Sequence, residues 1–237
     1  MLGYCLATLF TQAHFTADAS DYVESIVSYD RGQYYEFWEF GHILWRPIGW
    51  FLMMVLRPVL LSLSGGDLKV GTALLLTAIA WLAGLISVVA LAAIVSRFCS
   101  RKLIVSITVL TFILSHGVLN FAQAGTSYII SLCFMLLALY VLLKPEGERL
   151  TTRHGLAAGV LLALMICFWL PFIFIIPAVL IAPLAVSGLE MKKVKTLFVA
   201  LIVAGVLTAI VYLVVVAGPV GVRSHQRLPR VDATNHR

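Results

Sequence analysis

Two aspartates and a histidine near the start of the chain have the spacing of one helix face. His14, Asp18 and Asp21 follow one another at steps of four and three residues, which places them on the same side of an α-helix. Carboxylates three residues apart can bind a hard cation such as Mg²⁺ or Mn²⁺. Alternatively, one carboxylate can take a proton from an attacking hydroxyl while the other adjusts the basicity of the first. Asp18 and Asp21 are therefore candidate catalytic residues, and a divalent metal is permitted without being required.

A structural role for the same acids stays open. Asp18 could cap a helix, with Asp21 and Glu24 stabilised in its first turns by the helix dipole. However, six of the eleven acids of the chain fall between Thr11 and Phe40, with a single basic residue among them. This concentration beside apolar sequence favours a functional site.

Two further polar groups are candidates for substrate binding. Arg46 could hold a phosphate by charge-assisted hydrogen bonds, or form an ion pair with Glu36 or Glu39. His42 could act as a general acid or base, as a metal ligand, or as an interfacial residue without a catalytic role. The second group consists of His116, Asn120 and Gln123, whose steps of four and three again predict one helix face. That face serves either interhelical hydrogen bonds or a site.

The composition is that of a membrane protein. Apolar residues make up 61% of the 237 residues, charged residues make up 12%, and the mean hydropathy is +1.01. Soluble domains carry about 45–50% apolar and roughly 25% charged residues. The composition therefore excludes a water-soluble globule and a disordered chain. The net charge of +6 is better explained by cytoplasmic loops than by a nucleic-acid partner.

The uncharged runs predict the transmembrane segments. Runs of 27, 41, 35 and 27 uncharged residues follow Lys69, Lys102, His154 and Lys195, and one spanning helix needs about 20 residues. The 41-residue run predicts two spans joined by a turn at 120–127. The 35-residue run predicts a hairpin of two short spans bent near Pro171. Six spans after residue 69 follow from this division.

These elements give an all-α fold, a polytopic transmembrane helix bundle with two interfacial helices. We expect a partial first span at 1–10, an acidic outer loop at 11–69, the six-span bundle at 70–217 and a polar tail at 218–237. The interfacial helices are predicted at 19–29 and 48–63. The first is amphipathic, with an apolar stripe of Tyr22, Val23, Ile26, Val27 and Tyr29 and with Asp21, Glu24, Ser25 and Ser28 on the other side. Because ten apolar residues are too few for a full span, we expect the chain to be a piece of a longer protein.

Three basic clusters predict the orientation. They are Arg97/Arg101/Lys102, Lys144/Arg149/Arg153 and Lys192/Lys193/Lys195, and the positive-inside rule places them in the cytoplasm. The acidic outer loop then lies on the non-cytoplasmic side. We expect a multi-pass protein of the plasma (inner) membrane, in contact with membrane lipids.

Three segments of the sequence resemble the GT-C superfamily of integral-membrane glycosyltransferases. They are Phe15-Thr-Ala-Asp18-Ala-Ser-Asp21-Tyr22, Gly41-His42-Ile-Leu-Trp45-Arg46-Pro47-Ile-Gly-Trp50 and Asn120-Phe-Ala-Gln-Ala-Gly-Thr-Ser-Tyr128. The first resembles the acidic motif that follows the first span in the family, and the second resembles the stretch that closes the outer loop. The family usually has adjacent acids, whereas this chain spaces them as Asp18-x-x-Asp21.

The resemblance implies transfer of a sugar from a polyprenyl-phosphate carrier on the outer face of the membrane. Asp18, or secondarily Asp21, would deprotonate the acceptor, and Arg46 with His42 would hold the carrier phosphate. Some members of the family use a divalent metal. The alternatives are a transporter and a non-catalytic membrane scaffold. Ion-coupled transport is disfavoured because none of the six predicted spans contains a formal charge.

Overall fold

The computed structural model describes residues 1–11, 17–33, 37–144 and 148–217, and every regular element in those ranges is helical. The α-helices are α1 Leu2–Phe10, α2 Ala17–Asp30, α3 Trp45–Leu63, α4 Leu68–Phe98, α5 Lys102–Ile113, α6 His116–Gln123, α7 Tyr128–Leu142, α8 Thr152–Phe168, α9 Ile176–Ser187 and α10 Met191–Val215. Short 3-10 helices lie at Phe40–His42 and Leu170–Ile175. The all-α prediction is confirmed for this part of the chain. The predicted tail at 218–237 lies outside it.

Three helices of the described chain, α3, α4 and α10, are long and apolar enough to cross a membrane. The pair α5 and α6, bent by 54°, makes a fourth if it acts as one span. The apolar segments α7, α8 and Leu170–Val186 are shorter. Large apolar side chains on the outside of α4 and α10, such as Leu82, Ile86 and Leu213, are exposed. These features suit a membrane protein with several spans. The number of six spans stays a prediction.

The bundle is built around α4 and α8. Helix α4 packs against α2, α3, α5, α6 and α7, while α8 packs between α7 and α10. The contact of α8 with α10 depends on Gly155 and Gly159. A Cβ added to Gly155 would lie 2.5 Å from the Thr196 carbonyl oxygen, and one added to Gly159 would lie 2.6 Å from Val203 Cβ. The GxxxG pattern thus serves close helix packing, which is its usual meaning in membrane helices.

The basic clusters meet at one end of the bundle. Arg97, Lys144, Arg149, Lys192 and Lys193 line a common cavity there, at the C-termini of α4 and α7 and the N-termini of α8 and α10. We call this the basic end. The opposite termini of α7, α8 and α10 therefore lie at the other end of the bundle, which we call the site end.

Helix α2 confirms the predicted amphipathic segment at 19–29. Tyr22, Ile26 and Val27 are buried, whereas Asp21 and Glu24 are exposed. The apolar stripe packs on α3 and α4. An exposed ion pair between Glu24 and Lys69 joins α2 to the first turn of α4 and lowers the pKa of the Glu24 carboxyl.

Helix α3 begins earlier than the predicted 48–63 and by length could cross a membrane. The extension is possible because Pro47 lies in the first turn, where backbone N–H groups have no partner within the helix. Two of its close approaches, however, lie in the first third of α4. A Cβ on Gly49 would meet Leu76, and a Cβ on Gly71 would lie 3.0 Å from Leu60 Cβ. Both ends of α3 therefore stay near the site end.

The two predicted breaks differ in accuracy. The bend near Pro171 coincides with the 3-10 helix between α8 and α9. The turn predicted at 120–127 is helical up to Gln123, and only its second half, around Gly125 with φ of 66°, is a turn. The preceding break instead lies at Leu114–Ser115, where Ser115 caps α6 by accepting from the Val118 N–H.

Candidate functional site

The first candidate carboxylate is held by a phenol from a distant helix. The Tyr128 hydroxyl, at the start of α7, donates a hydrogen bond to Asp18 Oδ2 in the first turn of α2. The Tyr22 side chain, one turn further along α2, also interacts with the Tyr128 hydroxyl. Burial raises the pKa of Tyr22 well above its usual value, so its phenol keeps its proton. Asp18 therefore belongs to a partly buried polar group and is more than a helix cap.

His42 lies in the same group and is 6% exposed. Its Nδ1 is 3.1 Å from the Phe168 carbonyl oxygen and 2.6 Å from Ser127 Oγ. Because a carbonyl oxygen can only accept, the hydrogen-bond network assigns the proton to Nδ1 and leaves the lone pair of the neutral ring on Nε2.

The imidazole lies between two aromatic rings. The ring centroids of Tyr22 and Tyr128 are 5.5 and 5.4 Å from that of His42. Burial is the main cause of a lowered His42 pKa; Arg46 lowers it further, while the Phe168 hydrogen bond and the charges of Glu39 and Asp18 oppose the shift. The net shift is downward, so His42 is neutral at neutral pH.

Arg46 is 7% exposed and is paired with Glu39, with 2.9 Å between Nη2 and Oε2. Its guanidinium carbon lies 5.3 Å from the centroid of the Tyr22 ring. The ion-pair alternative is therefore observed for Glu39, and Glu36 lies outside the described residues. We call the whole group the Asp18 cluster; its members are Asp18, Tyr22, Glu39, His42, Arg46, Ser127 and Tyr128.

Backbone contacts fix the segment that carries His42. The Leu44 N–H donates to the Cys167 carbonyl oxygen at 3.2 Å, and the Tyr212 hydroxyl donates to the Phe40 carbonyl oxygen at 2.7 Å. The segment is thus attached to the C-terminal ends of both α8 and α10, which places His42 at the site end.

An apolar cavity of about 290 Å³ adjoins the cluster at Tyr128. Aromatic and aliphatic side chains from the α5–α6 break, α7 and the 3-10 helix at Leu170–Ile175 line it. The Tyr128 ring centroid lies 4.9 Å from that of Phe121 and 4.7 Å from that of Trp169. Tyr128 therefore presents its hydroxyl to a carboxylate and its ring to an apolar space.

The structure brings together three of the predicted site residues, Asp18, His42 and Arg46. Asp21 points to the exposed side of α2. His116 is exposed and Asn120 is half-buried on α6, and neither forms a hydrogen bond to the Asp18 cluster within the described chain. His14 lies outside the described ranges.

The third member of the predicted polar face on α6 has a packing role. Gln123 Nε2 donates to Thr11 Oγ1 at 2.6 Å, which joins the end of α6 to the residue after α1. This contact is an interhelical hydrogen bond of the kind that membrane helices use for association.

Sequence reasoning missed the contacts of Ser127 and Tyr128. These residues lie 85 and 110 positions from their partners His42 and Asp18, so no local spacing could reveal them. The only signal was the position of Tyr128 at the end of the third family-like segment.

Within the described ranges, no three His, Cys, Asp or Glu side chains lie together as a metal-ligand set. A divalent metal therefore stays a prediction.

Comparison with known proteins gives no relative for this chain. No family model matches it, and neither a curated protein nor a solved structure matches it.

Proposed function

We propose that the chain is the catalytic module of a GT-C-type glycosyltransferase, which transfers a sugar from a polyprenyl-phosphate carrier to an acceptor on the non-cytoplasmic face. One observation carries the proposal: a carboxylate, a buried guanidinium and an apolar cavity meet at the site end, around Asp18, Arg46 and Tyr128. These are the groups needed for a base, a phosphate ligand and a lipid chain.

Asp18 is the proposed base. It takes the proton of the acceptor hydroxyl as the acceptor oxygen bonds to the anomeric carbon of the sugar, while the bond from that carbon to the phosphate oxygen breaks. The products are the glycosylated acceptor and the polyprenyl phosphate. The hydrogen bond from Tyr128 orients the Asp18 carboxylate. Asp21 is exposed and is the weaker candidate for the same role.

Arg46 is the proposed ligand of the leaving phosphate. Negative charge increases on that phosphate in the transition state, and a guanidinium held in a buried position stabilises it without reorganisation. Glu39 and the Tyr22 ring orient Arg46. His42 can assist once it is protonated, because Nε2 then becomes a donor. A nearby phosphate dianion favours that protonation.

The apolar cavity is the proposed binding place for the lipid portion next to the phosphate. Its lining is almost entirely apolar, and burying isoprenoid carbon there is favourable. Any divalent metal would be bound beside the acidic residues, where it would neutralise the phosphate charge.

The test is a transfer assay with the protein reconstituted in liposomes that contain undecaprenyl-phosphate hexoses and pentoses. Release of undecaprenyl phosphate is measured. Because general-base catalysis contributes about 10²–10⁴-fold, Asp18→Asn should lower the rate by at least about 100-fold.

The matched control is Glu24→Gln, an exposed carboxylate on the same helix, which should keep the wild-type rate. Arg46→Met should raise KM for the donor and lower kcat. Wild-type transfer by Asp18→Asn would exclude Asp18 as the base. Absence of transfer to any acceptor by the wild-type protein, combined with solute flux, would favour a transporter.

A further inference from the structure

A cavity at the basic end has a volume of about 1190 Å³ and lies between the ends of α4, α7, α8 and α10. Among the described residues, five basic side chains and two carboxylates line it. The formal charge of this described lining therefore has a surplus of three positive charges. This cavity is at the opposite end of the bundle from the Asp18 cluster.

The two carboxylates of the lining each form an ion pair with a lysine of the same lining. Glu148 pairs with Lys144 at 3.6 Å, and Glu190 pairs with Lys193 at 2.6 Å. Neither Arg149 nor Lys192 forms an ion pair within the described residues. These two cations, together with Arg97, are the source of the surplus charge.

Arg97 is held in place by neutral groups. Its guanidinium donates to the carbonyl oxygens of Leu143, at 2.8 Å, and Tyr140, and its guanidinium carbon is 3.6 Å from the centroid of the Tyr140 ring. These contacts orient the side chain, and no carboxylate of the described residues pairs with it. A preorganised cation of this kind suits a phosphate ligand.

Apolar side chains share the lining with these charges. Phe98, Val186 and Met191 line the cavity and are exposed, at the ends of helices whose outer surfaces are apolar. A soluble anion would leave such groups in contact with water, whereas the acyl chains of a lipid would cover them. Basic pockets between membrane helices are known binding places for anionic lipid headgroups.

We infer that the basic-end cavity binds an anionic phospholipid, whose headgroup phosphate is held by Arg97, Arg149 and Lys192. Phe98, Val186 and Met191 contact the start of its acyl chains. The binding site is independent of the proposed sugar transfer, because it shares no residue with the Asp18 cluster.

The test is native mass spectrometry of the detergent-solubilised protein, titrated with dioleoyl phosphatidylglycerol or with dioleoyl phosphatidylcholine. The wild-type protein should retain phosphatidylglycerol in preference to phosphatidylcholine. The double variant Arg149→Gln with Lys192→Gln should lose roughly an order of magnitude in phosphatidylglycerol affinity, since each basic residue near a lipid surface contributes a few-fold.

The matched control is Arg101→Gln with Lys102→Gln, which removes the same two charges from exposed positions outside the cavity lining. This control should bind phosphatidylglycerol as the wild type does. Arg149→Lys with Lys192→Arg preserves the charge and should also keep the preference, which guards against a folding defect in the first variant.

Three results would overturn the inference. One is equal binding of the two lipids by the wild type, and another is an equal loss of affinity in the control and cavity variants. The third is competition by glycerol 3-phosphate at the same concentration as the lipid, which would identify a soluble phosphate as the ligand.

Discussion

At the residue scale, the hydrogen bond between Tyr128 and Asp18 joins α2 to α7 and should be measurable as a coupling energy. Hydrogen bonds to charged groups contribute about 1.5–3 kcal/mol. We predict that Asp18→Asn and Tyr128→Phe each lower the thermal unfolding midpoint in detergent. The double variant should lose less stability than the sum of the losses of the two single variants. The difference, which is the coupling energy between the two side chains, should be about 1–2 kcal/mol.

An appropriate control pair is Asp18→Asn with Tyr212→Phe, because the Tyr212 hydroxyl bonds to the Phe40 carbonyl instead. Their losses should add within about 0.5 kcal/mol. Additive losses for Asp18 and Tyr128 as well would contradict the pairing.

The buried imidazole of His42 predicts a dependence of stability on pH. Burial lowers its pKa in the folded protein, so the unfolded chain takes up the proton first as the pH falls. The contribution of neutral His42 to the free energy of unfolding is complete above the pKa of about 6.5 that histidine has in the unfolded chain. This contribution is lost as the pH falls below that value. The free energy of unfolding in detergent should therefore fall between about pH 7.5 and 5.5.

His42→Gln should reduce that dependence, whereas His116→Gln, which removes an exposed imidazole, should leave it unchanged. Tyr22, Tyr128, Asp18, Glu39 and Arg46 face the ring, and the acids reduce the shift without reversing it. A wild-type free energy of unfolding that is equal at about pH 7.5 and 5.5 would contradict the assignment of His42 as a neutral residue.

The sequence revealed the site only where residue type and local spacing carry the signal. Asp18, His42 and Arg46 could be selected because charged or titratable residues are rare in so apolar a chain. Tyr128 could not be selected, because its role depends on the contact between α2 and α7. The exposed position of Asp21 agrees with the apolar stripe of α2, which leaves Asp21 on the polar side. The i, i+3 spacing to Asp18 suggested a shared site because it does not take that stripe into account.

At the element scale, the packing of α8 on α10 is limited by two glycines. An added methyl group on Gly159 would lie 2.6 Å from Val203 Cβ and 2.8 Å from the Ala200 carbonyl oxygen. Overpacking of this kind costs about 1–3 kcal/mol. We predict that Gly159→Ala lowers the unfolding midpoint in detergent by several degrees.

Gly205→Ala on α10 is the matched control, since nothing lies within 4 Å of the added carbon. It should be neutral or slightly stabilising, because alanine favours helices more than glycine does. A midpoint for Gly159→Ala equal to that of the control would show that the two helices can separate without cost.

Secondary structure could be predicted where periodicity is strong. The stripe of Tyr22, Ile26 and Val27 defined α2 well. The break between α5 and α6 was missed because the uncharged run continues through it, and Gly125 offered a more conspicuous turn signal. Ser115 acting as a cap was the available sign, but a serine within an apolar run is not distinctive.

At the scale of the whole molecule, the proposed topology places both ends of α3 on one side of the membrane. We predict that Gln33→Cys and Ser62→Cys react with an impermeant maleimide from the same side of a sealed vesicle, and that Arg101→Cys reacts from the other. All three positions are exposed. Serine should replace Cys5 and Cys99, while Cys133 and Cys167 are buried.

Labelling of Ser62→Cys from the same side as Arg101→Cys would make α3 a true span and would change the predicted orientation of the site. Labelling of Gln33→Cys from the cytoplasmic side of intact cells would contradict the proposed transfer on the outer face.

The length of α4 has a consequence for the environment of the reaction. Its 31 residues extend about 46 Å, whereas the hydrocarbon of a bilayer is about 30 Å thick. If α4 stands perpendicular to the membrane, its extra turns extend beyond the hydrocarbon. They then hold α2, α3 and the Asp18 carboxylate above the acyl chains. In a thicker membrane these elements would lie within the hydrocarbon. The rate of the proposed sugar transfer in vesicles should therefore fall as the acyl chains of the lipids lengthen.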